Sequence, residues 1–186
     1  AANRGELQQR QLFAAPCGSG KGTIQLATLN ALREQGLDAW IVTPSIEIIK
    51  GFLERVGEDI GGSSEAVATR AYDLGITTGQ RLANRMADGR TPAPDVVLVD
   101  EVHQWVGANT TPEQLWAMAP MARWMGYTAT PYRASIKGTQ ALREAGGEPV
   151  WLISLAEVVA AGYITLPTFR LAPLVDDDQL TIRGGD

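Results

Sequence analysis

Three short stretches carry side chains able to do chemistry. Residues 15 to 23 read APCGSGKGT. Gly18 and Gly20 let backbone N–H groups approach an anion, and Lys21 brings a point charge within reach of terminal phosphates. A Gly-Ser-Gly-Lys run between a strand and a helix favours phosphate binding over an ordinary turn. It leaves the reaction open. Gly22 stands where such loops usually carry Ser or Thr, and the hydroxyl comes one residue later, at Thr23. A kinase of small nucleotides and a motor that spends ATP on a nucleic acid both own loops of this kind.

The second stretch is VVLVDEVHQW, residues 96 to 105. An apolar strand ends in adjacent carboxylates, Asp100 and Glu101. Ligands of open α/β sheets sit beyond the carboxyl ends of the strands. Asp100 is therefore placed to hold Mg²⁺, directly or through water. Glu101 can orient and polarise an attacking water. The plainer alternative is an acidic pair that ends a strand and caps a helix. His103, the one histidine of the chain, follows two residues after the pair. The third stretch is MGYTATPYR, residues 125 to 133. Its hydroxyls can hydrogen-bond a carboxylate and a moving neighbour, though alone it is only a polar strand end.

The elements that must position these groups alternate between strand and helix. QLFAA (11–15) is a short apolar run entering the glycine-rich loop. A helix is expected from about Gly22 to Gln35, with Ile24, Ala27, Ala31 and Leu32 on one face and Gly36 as its stop. AWIVT (39–43) is a second strand. Ser45 caps a helix whose Ile46, Ile49, Leu53 and Val56 share a face. GITT (75–78) is a short strand before a helix carrying Leu82 and Met86. VVLV (96–99) is a continuous apolar run, as in a parallel strand buried on both faces. Thr111-Pro112-Glu113-Gln114 and Ser154-Leu155-Ala156-Glu157 have the capping-box pattern. RWMGYTA (123–129) is a further strand, and Gly162 ends the last helix. Alternation of this kind implies right-handed crossovers and a parallel sheet covered on both sides.

Composition bounds the rest. The chain has 186 residues, 45% of them hydrophobic, enough for one well-cored domain and marginal for two. There is no apolar run long enough to cross a membrane and no signal-like opening segment. One Cys, Cys17, forms no intrachain disulfide, and with a single His it makes no structural zinc cluster. These features point to a cytoplasmic setting. The net charge is −5 and the pI about 4.9, so nucleic acid is not gripped through a broad cationic face. From Pro167 to Asp186 the chain turns acidic and turn-rich. Residues 1–166 are expected to form one domain and 167–186 a linker or the start of a second. The abrupt ends suggest a fragment.

Taken in order, the three stretches resemble the first RecA-like domain of superfamily 2 helicases of the DExH/DEAD type. APCGSGKGT resembles motif I, DEVH motif II and YTATP motif III, while VTPSIE (42–47) and ITTGQRL (76–82) resemble motifs Ia and Ib more weakly. SLAEVVAAGYITLP resembles the segment that leaves this domain in the type III restriction and phage-type branch. The resemblance covers nearly the whole chain. It implies a three-layer α/β P-loop fold, a mostly parallel sheet with helices on both faces, and an ATP hydrolase that works as a helicase or translocase on nucleic acid.

The resemblance also assigns roles. ATP would lie along Pro16, Cys17, Gly18, Ser19, Gly20, Lys21, Gly22 and Thr23, with Lys21, Asp100 and Glu101 catalytic. Mg²⁺ would be held by Asp100 and Thr23, or by water in the place of Thr23. His103, Thr128, Ala129 and Thr130 would couple the ATP state to the grip on nucleic acid. Pro44, Ser45, Thr77 and Thr78 would follow a strand of DNA or RNA, with DNA favoured, through local backbone contacts that need little net charge. A second RecA-like domain would supply motifs IV to VI and the arginine finger. The Gly-Lys-Gly-Thr order keeps a nucleoside monophosphate kinase as the alternative, and a non-catalytic ATP-binding module that grips nucleic acid as a third. DEVH and TATP have no place in such a kinase.

Overall fold

The structure, a computed structural model, describes residues 10–105, 111–132 and 136–165. Six strands form one sheet: β1 (Arg10–Ala14), β2 (Ala39–Thr43), β3 (Ile76–Thr78), β4 (Val96–Val99), β5 (Arg123–Thr128) and β6 (Val150–Trp151). Their order is β3-β2-β4-β5-β1-β6, and every pairing is parallel. Seven helices connect and cover them among the described residues: α1 (Lys21–Glu34), α2 (Ile46–Arg55), α3 (Ser64–Asp73), α4 (Gly79–Ala87), α5 (Thr111–Met118), α6 (Ile136–Gly146) and α7 (Leu155–Ala160). This is the three-layer α/β arrangement of RecA-like domains. None of these helices is long and apolar enough to cross a membrane.

The period of two along each strand divides the core into two halves. Trp40 and Val42 of β2, with Val97 and Val99 of β4, join Leu12, Trp124, Leu82, Leu115 and Leu142 on one face. Ala39 and Ile41, with Val96 and Leu98, join Leu29, Ile49, Phe52, Val67, Ile76 and Tyr127 on the other. The unbroken apolar runs of β2 and β4 follow from this, because both of their faces are dry.

Strand and helix limits match the expected ones to within a residue or so, and two caps are met. Ser45 Oγ accepts from Ile48 N. Ser154 and Glu157 complete a capping box, and Gly162 follows that helix at φ 74. The cap expected at Thr111 involves side chains outside the described ones, and the tail 167–186 lies outside the described residues.

Two expected faces are corrected. In α1, Gln25 and Leu29 are the buried residues, while Ile24, Ala27 and Ala31 are exposed. The helix is turned by a polar contact described below, because a buried amide with a charged partner can take an inward position. In α2, Ile49, Phe52 and Leu53 are buried, but Val56 lies beyond the last turn and is exposed. Helices α3 and α6 and strand β6 carry no expectation from the sequence. The core side of α3 is Val67, Ala68 and Ala71, too small an apolar stripe to stand out. Strand β6 is two residues long and exposed.

Candidate functional site

Because all the strands run one way, the three chemical stretches and the Pro44–Ser45 and Thr77–Thr78 pairs meet at a single edge of the sheet. The loop after β1 reverses through Gly18 at φ 76 and Gly20 at φ 85, a region that favours glycine. Gly20 precedes the first turn of α1, which has no side-chain cap, so the positive end of the helix faces the loop. A Cβ on Gly18 would also fall 2.8 Å from Ile164 Cγ2. Lys21 folds across its own loop: Nζ donates to Ala15 O and Pro16 O, each at 3.2 Å. Ser19 Oγ donates to Pro16 O at 2.7 Å.

Asp100 continues β4. Its N–H donates to Val42 O at 2.8 Å, and Trp105 Nε1 donates to its carbonyl at 3.1 Å. Its carboxylate is buried and accepts a 2.7 Å hydrogen bond from Gln25 Nε2. Gln25 itself is fully buried, and its Oε1 has no partner. Sequence reasoning passed over Gln25. A lone polar residue at i+4 from Lys21, on the face where an apolar one was due, is the signal that marks it.

Glu101 has φ 46, the one positive value at a non-glycine position among the described residues. Such a conformation costs on the order of 1 kcal/mol and turns the chain sharply after the strand. It keeps Glu101 over the same cavity as Asp100. Burial, and then the neighbouring Asp100, push the Glu101 carboxyl above its ordinary range, with His103 and Lys21 opposing. His103 Nδ1 lies 3.2 Å from Glu101 Oε2 and 2.8 Å from Thr128 Oγ1. Nδ1 therefore lies within reach of both oxygens, and the tautomer of the ring decides whether it donates or accepts. Thr128 Oγ1 also accepts from Thr130 N at 3.0 Å, and Thr128 O accepts from Ala15 N at 3.1 Å. A line of close polar contacts thus runs from Glu101 through His103 and Thr128 to the root of the glycine-rich loop.

A cavity of about 410 Å³ lies at this edge. Cys17, Gly18, Gly20, Lys21, Gly22, Asp100 and Glu101 line it, together with Ile48, Gly51, Phe52 and Arg55 of α2. These last four sit at i, i+3, i+4 and i+7, one face of the helix, and were not expected. Thr23 is exposed and, like Pro16 and Ser19, is not among the lining residues. Ala129 and Thr130 follow β5, with Thr130 exposed. Ser45 and Thr78 spend their hydroxyls on capping α2 and α4. Thr77 is fully buried, which leaves Pro44, Ser45 and Thr78 as the accessible members of that set. A larger hollow, about 710 Å³, lies at the opposite edge among Gln11, Asp95, Arg123 and apolar neighbours. It has no lysine and no adjacent carboxylates.

The cavity suits a nucleoside polyphosphate with a divalent cation. A glycine-rich cradle, a helix start and Lys21 answer the anion. Asp100 and Glu101 offer oxygens to a hard metal. Gly22 brings no side-chain hydroxyl to this cavity.

The architecture is shared with several solved structures. The helicase domain of Hef from Pyrococcus furiosus superposes with a TM-score of 0.58 at 17% identity, covering 82% of this chain and 37% of that one. The UvsW helicase of bacteriophage T4 gives 0.55 at 13% identity, covering 78% and 55%. A nuclease-deletion mutant of the Type ISP restriction-modification enzyme LlaGI, in complex with a DNA substrate mimic, gives 0.56 at 20% identity, covering 83% and 16%. The chain therefore spans well under two thirds of each of these. No curated protein matches its sequence. The family model described as "Type III restriction enzyme, res subunit" matches residues 1–133, a span that holds the loop, the acidic pair and the Thr-Ala-Thr stretch. By that match and by its fold, the chain belongs to the type III restriction enzyme res subunit family and is a helicase-type RecA-like domain.

Proposed function

We propose that this domain binds and hydrolyses ATP and couples that cycle to a grip on DNA or RNA, as one half of a helicase or translocase. The observation that carries the reading is the line of contacts Glu101–His103–Thr128, whose last member also receives Ala15 N. A nucleotide kinase has no use for such a path. A motor needs one, because the state of the phosphate site must be felt at another surface.

Each residue has a task. Lys21 leaves the carbonyls of Ala15 and Pro16 and turns to the terminal phosphates. The N–H groups at the start of α1 meet the remaining phosphate oxygens. Asp100, held by Gln25, supplies a carboxylate oxygen for Mg²⁺, which would neutralise charge developing on the transferred group. Gly22 offers no hydroxyl, so a bound metal would be held by Asp100, with water rather than Thr23 as its further ligand. Glu101 orients the attacking water, and its raised affinity for protons suits a base. His103 and Thr128 pass a change at Glu101 into β5. Pro44, Ser45 and Thr78 offer backbone and edge contacts to a nucleic-acid strand. A second RecA-like domain would bring the arginine finger, and DNA is the favoured track.

ATP turnover of the chain joined to its second domain, with single-stranded DNA, duplex DNA and RNA, tests the reading. Stimulation by at least one of them is expected. Transfer of phosphate to a nucleoside monophosphate instead would establish the kinase. The metal's shell has its own check. Thr23→Ala is expected to leave the Mg²⁺ concentration needed for half-maximal turnover unchanged; a clear rise would return the hydroxyl to the metal.

A further inference from the structure

The end of α2 brings a second cation to the cavity. Arg55 is the last residue of that helix, and its side chain lines the cavity with Lys21, Asp100 and Glu101. The guanidinium is seated by three observations. Nη1 donates to Gly51 O at 2.5 Å, and the group lies 5.7 Å from the Phe52 ring centroid. A Cβ on Gly22 would come within 3.2 Å of Arg55 Cζ, and one on Gly51 within 3.3 Å of Nη1. Neither glycine has a positive φ, so backbone freedom does not explain them. What a side chain would take at either position is the space of the guanidinium. None of the ion pairs among the described residues engages Arg55.

We infer that Arg55 is a second phosphate-binding cation of the nucleotide site, and that glycine replaces a hydroxyl residue at position 22 to make room for it. The inference rests on the ATP reading above. An arginine with no acidic partner among the described residues, facing a cavity that already holds a lysine and a helix start, fits an oxyanion ligand. Its planar fork matches phosphate oxygens two at a time, where Lys21 acts as a point charge. It also offsets the repulsion that Asp100 and Glu101 exert on a polyphosphate before the metal arrives. The missing hydroxyl and the added guanidinium are then one change: the site trades a metal ligand for a direct phosphate ligand.

The test is the affinity of the chain for ATP by calorimetric titration in EDTA, where no metal contributes. Arg55→Gln is expected to weaken binding roughly ten- to hundred-fold, the range of a hydrogen bond to a charged group. Gly22→Thr, which fills the seat, is expected to weaken it comparably, and the double variant to lose little more than either single one. Lys21→Ala separates the two readings. If Lys21→Ala abolishes binding while Arg55→Gln binds like the wild type, the inference fails and the ATP site stands. If the wild type binds no nucleotide, with or without Mg²⁺, the ATP reading fails and this inference with it. Loss of single-stranded DNA binding by Arg55→Gln at unchanged ATP affinity would reassign the arginine to the nucleic acid and also overturn it. Additive losses in the double variant would sever Gly22 from Arg55.

Discussion

Glu101 is held where a carboxylate is uncomfortable: over a cavity, beside Asp100, on a backbone conformation that its Cβ disfavours. Discomfort of this kind is characteristic of residues kept for reactivity. Glu101→Gln is expected to bind ATP and to lose nearly all turnover, read by steady-state kinetics of the two-domain protein. The same variant has a stability signature. The carboxyl of Glu101 holds its proton more tightly when folded than when unfolded. Above its folded-state value the ionised side chain therefore destabilises the domain, and the effect vanishes below its unfolded-state value. Melting of Glu101→Gln should lie above wild type at neutral pH, and the two should converge as the pH falls below the ordinary glutamate range. Equal melting at every pH would show that the carboxylate carries no such load. Gln25 is the complementary case. Gln25→Ala removes the donor from a buried carboxylate, which costs about 1–3 kcal/mol for the group left unsatisfied. A denaturant titration should show that loss at neutral pH, with little change in slope.

At the scale of elements, β5 links the two ends of the proposed coupling. It lies between β4, which ends in the acidic pair, and β1, which enters the glycine-rich loop. Its last residue, Thr128, takes the Ala15 N–H on its carbonyl and the His103 contact on its hydroxyl. A shift at either neighbour therefore reaches β5 through a bond rather than through loose packing. Thr128→Val keeps the shape and removes the hydroxyl. ATP affinity should stay within a few-fold, while stimulation of turnover by nucleic acid should fall about tenfold, the scale of a typical coupling energy. Undiminished stimulation would place the coupling elsewhere. Helix α2 is capped by Ser45 and ends at Arg55, which lines the candidate cavity.

For the whole molecule, the proposed function gives one RecA-like domain one grip, and no arginine finger is identifiable in its motifs. A finger is worth about 10³–10⁵ in rate where it is used, and translocation needs two bodies that close and open on each other. Residues 1–186 alone are expected to bind ATP weakly and to displace no strand. The chain continued through a second RecA-like domain is expected to gain both nucleic-acid-stimulated turnover and strand displacement. Strong stimulated turnover by residues 1–186 as a monomer would refute the need for a second body.

Local chemistry made much of this protein legible before any coordinates. The loop from Gly18 to Lys21 and the acidic pair after an apolar strand announce themselves by residue type and spacing; the hydroxyls of Thr128 and Thr130 gain meaning only from their order after these two, and that order carried the family resemblance. The parallel sheet followed from apolar runs separated by helical patterns, because a strand dry on both faces has no polar alternation to show. What the sequence left undecided depends on groups far apart in the chain. Gln25 turns inward only because Asp100, 75 residues away, accepts its amide proton, and that contact set the phase of α1 against its apolar pattern. Arg55 reaches the cavity only because α2 packs beside the start of α1, and Gly22 is explained by what lies across from it. Hydroxyl and carboxylate chemistry are properties of a residue; which groups face one another is a property of the packing.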